Sequence, residues 1–279
     1  MTYKTILVHI DESRRAPDRI RIAAGIALAE EAHLVAAAVT GVSKFIYQSG
    51  LIGEGYIDVG PYQQFLQDHA EQALAKFDQV IEHIGLVSLE KRVINDEAAV
   101  GVSLQARYCD LTVIGQTDPD EESPTVSQDF PEQVVLHAGR PVLIIPYIGQ
   151  FNQIGKNVLV AWNAGIEATR AIAGAIPLLK RADTVRVAVF NAAEETNVHG
   201  VESYTDIARY LERHGIKAEI SQPLADTDIG NALLSLAADV NSDLLVMGGY
   251  GHSRFREILL GGVTRTVLES MTIPVLMTH

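Results

Sequence analysis

Lys4-Thr5-Ile6-Leu7-Val8-His9-Ile10-Asp11 and Lys156-Asn157-Val158-Leu159-Val160-Ala161-Trp162-Asn163 follow one pattern, 152 positions apart: a lysine, an apolar run, then a polar stop. Further along, Asp110-Leu111-Thr112-Val113-Ile114-Gly115 matches Asp243-Leu244-Leu245-Val246-Met247-Gly248 at an offset of 133. Pro141-Val142-Leu143 and Pro274-Val275-Leu276 share that second offset. Self-similarity at this scale is an internal repeat. The first copy therefore carries 19 extra residues, and only the glycine- and aromatic-rich stretch 41–60 lacks a counterpart. The repeats are expected over 1–148 and 153–279, joined by a short turn-like linker around Tyr147-Ile148-Gly149-Gln150-Phe151-Asn152.

Within each repeat, short apolar runs alternate with longer amphipathic ones, the pattern of a parallel sheet covered by helices. Strands are expected at Ile6–Ile10, Leu34–Val39, Ser88–Val93, Leu111–Ile114 and Val142–Ile145, then at Val158–Trp162, Val185–Phe190, Ala218–Ser221, Leu244–Met247 and Val275–Met277. Helices are expected at Pro17–Glu30, Tyr62–His83, Ala98–Tyr108 and Pro131–His137, then at Ile166–Arg181, Glu202–His214, Ile229–Val240 and Val263–Ser270. The fold class is α/β, two doubly wound open parallel five-stranded sheets. The short apolar strands that end each repeat are edge liabilities, and the simplest cover is for them to pair with each other as a pseudo-dimer.

At 279 residues and 47% hydrophobic, the chain can bury two cores. A formal charge of −13 argues against nucleic acid or an anionic membrane as the main partner. Met1-Thr2-Tyr3-Lys4 leads straight into a strand with no signal-peptide pattern, and no apolar stretch is long enough to span a bilayer. One cysteine, Cys109, suits a reducing cytoplasm and is expected to be a buried small hydrophobe.

Val246-Met247-Gly248-Gly249-Tyr250-Gly251-His252-Ser253-Arg254, followed by Gly261-Gly262-Val263-Thr264, is the stretch with chemistry in it. A glycine-bearing loop leaves the carboxyl end of a strand, and further glycines open the next helix. Backbone N–H groups of Gly262, Val263 and Thr264 at a helix N-terminus favour an anion. Ser253 and Thr264 add hydroxyls, and His252 or Arg254 a charged donor. A tight turn with an ordinary helix cap would need fewer glycines. At the corresponding place the first repeat has Asp118, Gln128 and Asp129, with Asp120, Glu121 and Glu122 between them. That loop repels a triphosphate. A divalent metal on oxygen ligands is one reading of it; a solvated flexible loop with Pro119 and Pro124 is the simpler one. Asp11 then reads as a helix cap or a surface carboxylate. No metal-ligating histidine spacing, nucleophile elbow or Gly-x4-Gly-Lys loop is present in the sequence.

Gly248-x2-Gly251-x9-Gly261 resembles the nucleotide loop of the ATP-binding universal stress proteins, and the paired opening strands and Pro-Val-Leu endings are similar to that family in tandem form. The resemblance implies an adenine nucleotide alpha hydrolase-like fold and a site for ATP or another adenine nucleotide, with Mg2+ as its counter-ion. It puts Ala161, Trp162 and Asn163 near adenine or ribose and the Gly248–Thr264 loop around phosphate. It also implies pairing of the two halves through their last strands, with a homodimer as a further association. Two departures stand out. Gly262 replaces the family's Ser/Thr, and Asn163 its acidic first-strand residue. The expected function is a non-catalytic stress-response regulator carrying nucleotide in its second half. Its rivals are slow ATP hydrolysis through His252, Glu257 or the acids near Asp11, and a scaffold whose pocket is empty or takes another small ligand. The 41–60 stretch is expected to serve association.

Overall fold

The apolar runs form ten strands and the amphipathic stretches eight helices among the described residues of this computed structural model, which are 2–41, 60–121, 123–191, 203–225, 228–251 and 262–279. In chain order they are β1 (Thr5–Ile10), α1 (Ala16–Glu30), β2 (His33–Val39), α2 (Gly60–Ile81), β3 (Leu89–Ile94), α3 (Ala98–Ala106), β4 (Leu111–Gly115), α4 (Phe130–His137) and β5 (Val142–Ile145). The second repeat gives β6 (Asn157–Ala161), α5 (Ile166–Leu179), β7 (Thr184–Ala188), α6 (Ser203–Arg213), β8 (Ala218–Ser221), α7 (Ile229–Asp239), β9 (Leu244–Gly248), α8 (Gly262–Ser270) and β10 (Val275–Thr278). Every expected element is present. β7 stops two residues short of Phe190, because the chain turns at Asn191 (φ 51°), whose side chain exchanges two hydrogen bonds with the backbone of Ala225. Of the 41–60 stretch only its two ends are described, so its expected role lies outside the described residues.

The chain divides into two compact units, Tyr3–Arg140 and Pro141–His279, the latter with the first two residues. In the first, four parallel strands run in the order β3-β2-β1-β4. In the second the order is β5-β10-β9-β6-β7-β8, parallel throughout except for β5. The inner strands β1, β4, β6 and β9 are almost wholly buried, as strands covered on both faces must be.

β5 closes the first sequence repeat but packs in the second unit, antiparallel to β10, with Val275 opposite Ile144, Leu276 opposite Leu143 and Met277 opposite Val142. β10 is therefore an interior strand, with β9 on its other side.

The repeated aspartates now have a physical reason. Asp110 accepts the N–H groups of Lys4 (2.7 Å) and Thr5 (3.0 Å), and Asp243 those of Gly155 (3.0 Å), Lys156 (2.9 Å) and Asn157 (2.9 Å). Each clamps the start of the first strand of its repeat beside the start of the fourth. Cys109 is buried next to Asp110, and burial pushes its thiol up to about 11. Among the described residues, no helix is long and apolar enough to cross a membrane.

Candidate functional site at the carboxyl ends of the inner strands

In each unit the strand order reverses direction beside the first strand of the repeat: β1 lies between β2 and β4, β6 between β7 and β9. Open α/β sheets bind ligands in the crevice this leaves at the carboxyl ends. The two units treat that crevice in opposite ways.

In the second unit, Val158, Leu159 and Val160 lie beside Leu244, Leu245 and Val246, so Ala161-Trp162-Asn163 and Gly248-Gly249-Tyr250 leave the sheet side by side. Both exits carry a non-glycine residue in the left-handed region, Ala164 and Tyr250 at φ 56°. Such a conformation costs on the order of 1–2 kcal/mol and is kept where the surroundings over-determine it. Asn163 spends its side-chain oxygen on the N–H of Gly165 (3.0 Å), the residue that caps α5 without a side-chain bond of its own. Thr264, buried in the first turn of α8, accepts the N–H of Tyr250 (3.0 Å) through its hydroxyl. That ties loop to helix. The N–H of Gly249 donates to the carbonyl of Thr278 (2.9 Å), anchoring the same loop on β10.

Glycine is required at 248 for a packing reason. A β-carbon there would stand 2.5 Å from the backbone nitrogen of Ala168 and 2.8 Å from Glu167, because the start of α5 presses on the end of β9. At Gly262, the first residue of α8, a β-carbon would meet nothing within 4 Å among the described residues. His252, Ser253, Arg254 and Gly261 lie outside the described residues. The indole Nε1 of Trp162 is buried without a hydrogen-bond partner among the described residues.

One residue of this crevice escaped the sequence reading. Glu167 is only 9% exposed, and its Oε2 lies 3.1 Å from where a β-carbon of Gly251 would stand and 3.4 Å from that of Gly165. A carboxylate thus sits between two glycines. From sequence it is an acidic residue in the first turn of a helix, a common complement to the helix dipole.

The first unit fills the equivalent space with its own cation. Arg19, 2% exposed, donates Nε–H to the carbonyl of His9 (2.7 Å) and pairs through Nη2 with Asp11 (2.7 Å). Gly115, the counterpart of Gly248, lies against this guanidinium so closely that a β-carbon would overlap Nη1. Asp11 also accepts the N–H of Ser13 (3.0 Å), and α1 has no side-chain cap. Asp11 is therefore neither a helix cap nor a free surface carboxylate but half of a buried ion pair. Burial alone would raise its carboxyl; Arg19, His9 and Ser13 together hold it well below the usual carboxylate range. His9 lies with its Nδ1 3.6 Å from Asp11 and its ring 4.8 Å from Phe130. Burial, reinforced by Arg19 and opposed by Asp11, pushes it down to about 4.

The acidic loop also makes contacts of its own. Arg14 pairs with Asp118 (3.2 Å) and Glu121 (3.5 Å), and Thr117 donates to the carbonyl of Gln128 (2.9 Å). A cation from α1's approach supplies what the loop lacks. Among the described residues, no group of three or more His, Cys, Asp or Glu side chains is placed to hold a metal ion.

Known proteins resemble this chain in sequence and in fold. Residues 155–279 match the model of the Universal stress protein family. Universal stress protein Slr1230 of Synechocystis sp. is 27% identical over 145 residues, a match covering 52% of this chain and 49% of the relative. The chain thus spans about half the length of that curated relative. A universal stress protein from Archaeoglobus fulgidus DSM 4304 has a similar structure, with 16% identity and a TM-score of 0.73 over 98% of this chain and 97% of that one. A functionally unknown protein from Pseudomonas aeruginosa PAO1 follows at 16% identity and a TM-score of 0.60, covering 98% and 92%. At such identity the structural likeness shows the α/β fold.

Proposed function

We propose that this chain is a tandem universal stress protein that binds one adenine nucleotide, in its second half, and acts as a non-catalytic regulator in a stress response. The observation that carries the reading is the contrast between Gly248 and Gly115. The same strand end faces a helix start and a glycine-lined exit in one repeat, and a buried arginine–aspartate pair in the other. The first repeat then serves as a structural partner whose nucleotide crevice is closed by its own side chains. Its last strand, β5, laid against β10, is the internal counterpart of a dimer contact between single-repeat chains. The lone thiol, Cys109, fits the reducing cytoplasm, where we place the protein.

The residues present fit such a ligand. The start of α8 offers the N–H groups of Gly262, Val263 and Thr264 to phosphate. Ala161, Trp162 and Asn163 form the opposite wall, suited to adenine and ribose. His252, Ser253, Arg254 and Gly261 complete the reading from outside the described residues. Glu167 refines it: a carboxylate accepts hydrogen bonds from ribose hydroxyls or faces a cation, and it repels bare phosphate. Mg2+ would supply the charge that lets a polyphosphate lie near it.

Mass spectrometry of ligand released from freshly purified protein, with calorimetric titration of ATP, ADP and AMP, tests the proposal. The expected result is an adenine nucleotide at one per chain, without turnover. Two per chain, or none, overturns the one-site reading; steady hydrolysis moves the protein to the enzymes.

A further inference from the structure

α3 and α7 are the same helix in the two repeats, and they start alike. Glu97 accepts the N–H groups of Ala99 (3.0 Å) and Val100 (2.9 Å); Asp228 accepts those of Gly230 (2.9 Å) and Asn231 (3.2 Å). With the caps aligned, the burial of the two helices agrees along their length. Val102 and Ala106 are buried where Leu233 and Ala237 are buried. The outward row then pairs Val100 with Asn231, Leu104 with Ser235 and Tyr108 with Asp239, all six exposed.

That row is polar in the second repeat and apolar in the first, where Val100 is 56% exposed, Leu104 45% and Tyr108 75%. The fold does not ask for apolar residues here, as α7 demonstrates. Val100 and Leu104, at i and i+4, share one face of α3, and exposed Tyr108 follows in the turn that ends the helix. Between Ala98 and Tyr108 the sole charged residue is Arg107, in a chain whose formal charge is −13. The stripe is a gap in an otherwise self-repelling surface.

We propose that this stripe is the docking site for a second copy of the chain, through an antiparallel pair of α3 helices about a twofold axis midway between Val100 and Leu104. A twofold contact must be self-complementary. This register is: Val100 of one copy faces Leu104 of the other, Arg107 faces Glu97, and Tyr108 faces Asp96, each twice. The basic end of one helix meets the acidic start of the other, which also opposes the helix dipoles. The apolar area is well below the roughly 800 Å² per partner of a standard stable interface, so the dimer is a weak, concentration-dependent one.

Sedimentation equilibrium on the full chain, over a wide concentration range, tests this. The wild-type chain should show a monomer–dimer equilibrium. The variant Val100→Asn/Leu104→Ser/Tyr108→Asp, which copies the second repeat onto the first, should associate at least about tenfold more weakly at an unchanged melting temperature. Arg107→Glu reads the same contact from its charged end without touching the stripe, so a folding defect in the triple variant cannot hide the outcome. A wild-type chain that stays monomeric, or a dimer indifferent to both variants, overturns the proposal.

Discussion

Arg19 lays its guanidinium over Gly115 while pairing with Asp11 at 2.7 Å, so the first repeat keeps a cation of its own at the end of β4. Replacing Arg19 by Ala leaves the largely buried Asp11 carboxylate with only Ser13 and the His9 ring beside it. The expected cost is on the order of 3 kcal/mol by urea denaturation at neutral pH. The depressed Asp11 carboxyl contributes stability that is present above the ordinary aspartate value of about 3.9 and lost as pH falls below it. Arg19→Ala should therefore also flatten the acid limb of the stability profile. Nucleotide binding should not appear in this variant's first repeat, because Asp118 and Glu121 remain.

His9 gives a second, separate pH window. Its folded value, pushed down to about 4, lies below the unfolded value near 6.5, so folding favours the neutral ring. Stability from this group is complete above about pH 6.5 and falls as pH drops towards 4, by at most about 3 kcal/mol. Denaturation of the wild-type chain and of His9→Leu at pH 7 and pH 4.5 checks it. The variant should lose less stability between the two pH values; parallel losses would remove His9 as the cause.

Two glycine substitutions in the second repeat should separate folding from binding. Gly248→Ala forces a β-carbon against the backbone of α5 and should cost about 2 kcal/mol, read as a lower melting temperature. Gly262→Ala meets no atom within 4 Å among the described residues and should leave stability unchanged or slightly raised. Its nucleotide affinity should fall at least about tenfold, since the new methyl group stands where phosphate would approach the helix start.

Glu167→Gln tests what the buried carboxylate does for ligand choice. Removing the charge should strengthen binding of metal-free ATP by about tenfold and shrink the advantage of the magnesium complex. Titrations in magnesium and in chelator report both. An identical ratio in wild type and variant would mean that the carboxylate does not face the phosphates.

Much of this was legible in the sequence because it depends on pattern. Ten apolar runs and eight amphipathic ones became the strands and helices, and the offsets that align Asp110 with Asp243 also mark equivalent strands. The glycine positions 248 and 262 were visible too. Arg19 and Glu167 were not, because each lies in a helix where a charged residue ordinarily faces solvent. Their burial follows from the close approach of helix to strand end, which spacing along one chain does not encode. Asp11 was misread for the same reason: its partner is eight residues further on, across the β1–α1 turn. The pairing of β5 with β10 was visible as well, since two exposed apolar edges of one chain cover each other most simply.

That pairing governs how the gene can be divided. A cut made in the linker after Tyr147, where composition invites it, separates Val142–Ile145 from its antiparallel partner and leaves the Val275–Thr278 edge bare in the other fragment. Fragments made that way would be sticky for a reason unrelated to their chemistry. A nick in the same linker would not free the downstream piece, because the ladder from Val142 to Met277 bridges the break.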